Sequence, residues 1–151
     1  MEETTDLATK TAFIRKQACF KPLTDKETMD LAQLLAEKTF KAGETIVTEG
    51  DHVDSVYLIV QGSADVRKAA VGKNGLESHS VATLHAGEAI GLNETGFYSL
   101  TGLRTATVVA LTDMTLLYLN IASFNGFALA NSHVHAVMRK NAEETRNNDK
   151  E

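Results

Sequence analysis

One arginine stands apart by its setting. Arg104 is the only basic residue in GLNETGFYSLTGLRTATVVA, the stretch from Gly91 to Ala110, and Thr105, Ala106, Thr107 and a strand-like run follow it. A guanidinium stays charged and presents a planar fork of donors. A solvated surface arginine needs no such small and apolar surroundings, whereas one built to receive an anion does. Glycines such as Gly91 let a backbone come close to a bound group. A charge-assisted hydrogen bond in a partly dry site is worth about 1.5–3 kcal/mol.

Other chemistries find less support. His133 and His135 are two residues apart on a predicted helix and so point to opposite sides, while His52, His79 and His85 are scattered. A metalloenzyme of the cupin type would need a His-x-His with a carboxylate and a further histidine on neighbouring strands. No metal site, cofactor or catalytic residue is therefore expected. Cys19 is the only cysteine, which rules out an internal disulfide and fits a packed small hydrophobe beside Phe20. Glu49 and Asp51 read as a polar turn between strands.

The bulk properties set the frame. The chain has 151 residues, 43% of them hydrophobic, and a formal net charge of -5. One domain spanning 1–151 is expected, with room for a real core. The acidic balance argues against a broad nucleic-acid or anionic-membrane surface. No run approaches the roughly 18 apolar residues of a membrane span. The N-terminus, MEETTDLATK, is polar and acidic, unlike a secretory signal, and a cytoplasmic location is expected.

Three zones must position the arginine. Residues from about 5 to 39 read as helical. Leu31, Leu34 and Leu35 fall at helical spacing, and Thr24 with Glu27 forms a capping box just after Pro22. From 40 to 120 the texture is short strands and turns: ETIVTEG, SVYLIVQG, SADVRKA, SHSVATL, TATVVAL and MTLLYLN. Such spacing suggests a sandwich, jelly roll or barrel. VGKNGLE reads as a hairpin turn in which Asn74-Gly75 supplies positive φ. From 121 to 146 the chain is helical again, with Asn120 as a cap and Val134, Val137 and Met138 on one face. The fold class is mainly β with flanking helices.

The order of helices, strand-rich roll and helices resembles the cyclic-nucleotide-binding domain family. This family includes regulatory subunits of cAMP-dependent kinase, cyclic-nucleotide-gated channels and the sensor half of catabolite activator proteins. FKAGETIVTEGDHVDSVYLIVQGSADV is similar to its opening strands, and LRTATVVALTDMTLLYLNIASFNGF to its arginine, final strands and C-terminal helices. ACFKPLTDKETMDLAQLL is similar to its N-terminal helices. The resemblance covers roughly residues 13 to 143. It implies a β-roll, or jelly roll, with a phosphate-binding cassette at 87–107, a glycine-rich loop and short helix whose arginine pairs with a cyclic phosphate. Arg104 takes that role, Gly91, Leu92 and Asn93 the loop, and Thr105 and Ala106 the space beside the sugar-phosphate. Val137 and Met138 fall where the last helix covers the base; plain packing against the roll is the other reading.

The chain departs from the family where a glutamate usually takes the ribose 2′-hydroxyl. With Gly87 and Gly91 as the paired glycines, Leu92 stands there and the cassette is about three residues long beyond the usual pattern. With Gly87-Glu88 as the Gly-Glu pair, Glu88 is kept and the loop to Arg104 lengthens further. Glu94 is a replacement carboxylate under the first register. An unmet hydroxyl costs on the order of 1–3 kcal/mol, or one to two decades of affinity. Leu103 replaces a proline that often precedes the arginine, and DHVDS lacks the usual Pro-Gly turn. Thr105 follows the arginine as in relatives selective for cGMP, so the resemblance leaves cAMP and cGMP both open.

The resemblance thus implies a non-catalytic sensor in which a cyclic nucleotide shifts the C-terminal helices toward an effector protein or domain. The alternative is a degenerate module of the same fold that binds a protein instead. A transcription-factor role is not expected, because the chain ends before a helix-turn-helix could follow.

Overall fold

The computed structural model describes residues 5–93, 96–97 and 102–149. Helix α1 (Leu7–Arg15) is capped by Asp6, whose carboxylate accepts from the Thr9 N–H at 2.8 Å. A 3₁₀ turn at Ala18–Phe20 leads to α2 (Asp25–Ala32). The expected capping box opens α2: the Glu27 N–H donates to the Thr24 hydroxyl at 3.1 Å, and the Thr24 N–H to Glu27 Oε1 at 2.8 Å. Leu31 and Leu35 are buried, whereas Leu34 is exposed because α2 ends before it.

The strands begin earlier than the sequence suggests. Residues 36–39, read as the end of the helical zone, belong to β1 (Ala36–Phe40). Ala, Glu and Lys favour helix, but these residues pair antiparallel with β10 (Met114–Asn120), Ala36 opposite Tyr118 and Phe40 opposite Met114. Tertiary pairing overrides a weak local preference here. The remaining strands are β2 (Thr45–Val47), β3 (Ser55–Gln61), β4 (Ala64–Gly72), β5 (Gly75–Leu84), β6 (Ala89–Ile90), β7 (Leu92–Asn93), β8 (Gly96–Phe97) and β9 (Thr107–Ala110). Two four-stranded sheets form, ordered β1-β10-β3-β6 and β2-β9-β4-β5, with β7 and β8 pairing as a separate ladder. In the β4–β5 hairpin Gly72 pairs with Gly75, so the turn is Lys73-Asn74. Only Gly75 there takes positive φ, at 97°, while Asn74 does not.

Strand β3 divides the interior into two compartments, because successive side chains alternate sides. Val56 and Leu58 join Leu117 and Leu119 of β10 and the helical residues Ile14, Phe20, Leu31, Phe124 and Val134 in one core. Tyr57 and Ile59 face the other way, into the roll, with Ile46, Val47, Ala64, Ile90, Val108 and Leu116. Each fully buried aliphatic or aromatic side chain contributes about 1.5–3 kcal/mol over exposure, so β3 is anchored from both faces. Helices α3 (Ile121–Ala130) and α4 (Ser132–Asp149) close the first compartment. As expected, Asn120 caps α3, its side chain accepting from the Ser123 N–H at 3.1 Å.

One polar contact joins the two ends of the chain. His133 Nδ1 on α4 lies 2.8 and 3.0 Å from the carboxylate oxygens of Glu27 on α2. Burial works to raise the Glu27 carboxyl, but the Thr24 N–H and the His133 ring outweigh it and hold the group below its ordinary value of 4.5. Its stabilising contribution is complete above that value and fades as the pH falls through the depressed one. Thr24→Ala is expected to cost about 1 kcal/mol and lower Tm by roughly 2–4 °C, measured by thermal melting. Glu27→Gln should flatten the acid limb of the stability–pH curve; an unchanged limb would assign it to other carboxylates.

Candidate functional site

Arg104 is set by two loops zipped side by side. Its N–H donates to the Asp51 carbonyl at 2.7 Å, and its carbonyl accepts from the Gly50 N–H at 2.9 Å. The Val53 N–H donates to the Gly102 carbonyl at 2.7 Å, and His52 bridges Leu103. Nearby, Glu49 ties strands together rather than facing a ligand: its N–H donates to the Thr107 hydroxyl and its carboxylate accepts from the Ala69 N–H.

From this anchored backbone the side chain runs inward and is only 8% exposed. Nη2 donates to the Ser55 carbonyl at 2.7 Å and to the Ser55 hydroxyl at 3.2 Å. Asp54 lies at 4.0 Å and is itself largely in solvent. Burial pushes the guanidinium pKa down, opposed by Tyr57, Asp54 and Asp51, and the group stays cationic at neutral pH. Nε and Nη1 have no hydrogen-bond partner among the described residues. Arg104 is also one of the residues that line a cavity. One edge of the fork is thus fixed and the other is available.

The cavity measures about 820 Å³ and lies against the β2-β9-β4-β5 sheet, bounded by β6, the cassette segments 87–92 and 104–106, and residues 16–18. Its walls are mostly aliphatic, from Val47, Val66, Val81, Ile90 and Val108, and fall in the size range of small-molecule sites. Among the described residues Lys16, Lys68 and Arg104 line it against one carboxylate, Glu88, an excess of positive charge in a chain of net charge -5. Gln17 on the α1 side fastens its floor, Nε2 donating to the Gly87 carbonyl at 3.1 Å.

Among the residues expected from sequence, Gly91, Leu92, Arg104, Thr105, Ala106 and Glu88 all line this cavity. Glu88 Oε1 accepts from the His85 N–H of its own turn at 3.0 Å, which directs it to the turn. Leu92 packs partly buried against the helical core. Asn93 lies in β7 and Glu94 lies outside the described residues. Val137 and Met138 pack against the helical core and are not among the cavity-lining residues. Of the cassette, residues 94–95 and 98–101 lie outside the described residues; among the described ones between Gly87 and Thr107 Leu92 pairs with Phe97 and Asn93 with Gly96, and no helix is seen.

Sequence reading did not find Ser55, Asp54, Lys16, Gln17 or Lys68. Ser55 lies 49 residues from Arg104, so no local spacing links them. Its one signal is a small polar residue opening an otherwise apolar strand.

The fold is a β-roll with flanking helices, and a buried arginine lines its cavity. A family model described as the cyclic nucleotide-binding domain matches residues 37–131, more than half of the chain. The chain belongs to this family, whose domains are non-catalytic. It is 33% identical over 79 residues to a cAMP-dependent protein kinase regulatory subunit of Dictyostelium discoideum, covering 52% of this chain and 24% of that protein. It is 30% identical over 112 residues to the corresponding subunit of Eremothecium gossypii, covering 74% and 22%. The chain therefore spans under a quarter of the length of these curated relatives. In structure it is similar to the N-terminal domain of a transcriptional regulator from Streptomyces coelicolor A3(2), with a TM-score of 0.75 at 24% identity over 91% of this chain and 93% of that one. It is also similar to the regulatory domain of Toxoplasma gondii PKA with cAMP, with a TM-score of 0.69 at 20% identity over 84% and 46%. No described helix is long and apolar enough to cross a membrane.

Gly91 is where the site tolerates least. Its φ is +93°, and a Cβ there would lie 3.0 Å from Val56 Cγ1 and 3.2 Å from Arg104 Nη1. Gly91→Ala should destabilise the fold by at least about 1 kcal/mol, from the left-handed backbone and from pressure on the guanidinium. Urea unfolding measures the loss; an unchanged midpoint would show that the segment relaxes freely.

Proposed function

We propose that the chain is a regulatory sensor domain that binds a cyclic nucleotide monophosphate, cAMP or cGMP, in this cavity. The observation that carries the reading is the half-used guanidinium of Arg104: Nη2 is spent on Ser55, Nε and Nη1 have no partner among the described residues, and the residue lines a largely apolar cavity. A cyclic phosphate carries one charge and paired oxygens that match this edge. Aliphatic walls suit a purine, and Thr105 beside Arg104 gives cGMP a hydroxyl contact. The ligand then biases α3 and α4, by no more than its preference for one helix arrangement. The effector is a protein or domain, and the kinase regulatory subunits among the relatives make a protein kinase one candidate.

Leu92 favours a second reading. It places an apolar side chain at the expected ribose carboxylate position, and Glu88 is engaged by its own turn. A domain of this kind would keep the fold and bind a protein partner instead.

Titration calorimetry with cAMP and cGMP separates the two. Saturable binding is expected, and Arg104→Lys, which keeps the charge but loses the fork, should weaken it roughly ten- to hundredfold. No heat and no melting shift at millimolar nucleotide would overturn the sensor reading. Thr105→Ala should lower cGMP affinity more than cAMP affinity; equal losses would remove Thr105 from base recognition.

A further inference from the structure

The cavity is lined by more positive charge than one cyclic phosphate uses. A cyclic mononucleotide brings a single negative charge, and Arg104 is its partner. Lys16 and Lys68 line the same cavity. Both are exposed, and neither ammonium has an ion-pair or hydrogen-bond partner among the described residues. Lys16 keeps only the Phe13 ring, whose centre is 4.4 Å from Nζ. Against these cations stands Glu88, whose Oε1 is taken by the His85 N–H at 3.0 Å. Leu92, also on the wall, adds no carboxylate.

The two lysines reach the cavity from separate elements. Lys16 follows α1, where Gln17 ties the chain to the Gly87 carbonyl. A Cβ on Gly87 would lie 3.7 Å from Lys16 Nζ, and one on Gly91 would lie 3.2 Å from Arg104 Nη1. The two cations therefore mark separate points along segment 87–91. Lys68 is on β4, where Val66 packs toward the roll interior and Lys68, two residues on, shares its face. Arg67 pairs with Thr107, which sets Lys68 beside the 105–106 segment. The Glu49 carboxylate accepts from the Ala69 N–H at 3.0 Å and forms no ion pair with Lys68 among the described residues. At about 820 Å³ the cavity is in the upper part of the small-molecule range of about 300–1,000 Å³, which leaves room for a second charged group.

We propose that Lys16 and Lys68 make a second anion seat in this cavity, so that its ligand is a nucleotide with two phosphates, one at Arg104 and one at the lysines. The proposal rests on the reading of Arg104 as a phosphate seat. An ammonium is a compact point charge with three donors on a flexible stem, suited to a phosphate at the mouth of a site, whereas the fork of Arg104 fixes the one inside. The second phosphate is carried on the same ribose or joins a second nucleoside; the lysines meet the same chemistry in both.

Titration calorimetry on the full chain compares cAMP and cGMP with two-phosphate probes: adenosine and guanosine 3′,5′-bisphosphate, cyclic di-AMP and cyclic di-GMP. At least one two-phosphate probe is expected to bind about tenfold tighter than the mononucleotide of the same base, and to lose more affinity as salt rises. Lys16→Gln and Lys68→Gln should each weaken that probe about three- to tenfold and the mononucleotide about twofold. Lys16→Arg and Lys68→Arg, which keep the charge, should restore most of the loss. A tighter bisphosphate places the second phosphate on the same ribose, and a tighter cyclic dinucleotide places it on a second nucleoside. If the mononucleotides bind as tightly as every probe, or if the Gln variants weaken both classes alike or neither, the second seat is overturned while the sensor reading stands. Binding of a probe without binding of cAMP or cGMP would support the seat and overturn the mononucleotide reading. Binding of none would overturn both.

Discussion

A cation withdrawn from water must be answered by dipoles, by counter-charges or by a guest. Arg104 is answered only in part. The effective penalty for burying an ion is several kcal/mol, and among the described residues the carboxylate paired with the guanidinium, that of Asp54, stays 4.0 Å away. Two Ser55 oxygens solvate one nitrogen, and more distant acids hold the charge in place. Such a group is stable enough to persist and incomplete enough to gain from an anion. The rest of the molecule can be read as the apparatus that keeps it in this condition.

That apparatus is assembled from segments far apart in the chain. The loop around Gly50–Val53 is zipped to the loop around Gly102–Arg104, fixing the backbone from which the guanidinium departs. Gly91 leaves the gap through which it passes. Gln17 pins the Gly87 carbonyl from the helical side, so the cavity floor is held by the N-terminal helices. The sheets supply aliphatic walls, and with few competing acceptors a bound anion faces little competition for the open edge.

Much of this was legible before the coordinates, for reasons that differ by element. Arg104 was visible because a permanent charge among Gly, Ala and Thr is anomalous within a few residues of sequence. The capping boxes and caps were visible because Thr24, Glu27 and Asn120 act on their immediate neighbours. Strand β1 was not, since AEKTF carries no strand preference of its own and acquires one only from β10. Ser55 was not, since what matters about it is a partner half a domain away. The cassette showed both limits: Gly87 and Gly91 were placed in the wall, but the β7–β8 pairing between them and Arg104 depends on the fold around it.

Strand β3 has an implication for how variation in this protein should sort. Its side chains are a party wall between two rooms, with Tyr57 and Ile59 on the side of the roll interior and Val56 and Leu58 on the side of the helices, and alternation puts Ser55 with the first pair. Parity along five consecutive positions therefore separates two kinds of consequence. A change at an odd position alters the packing inside the roll, and a change at an even one alters how firmly the flanking helices rest on its back.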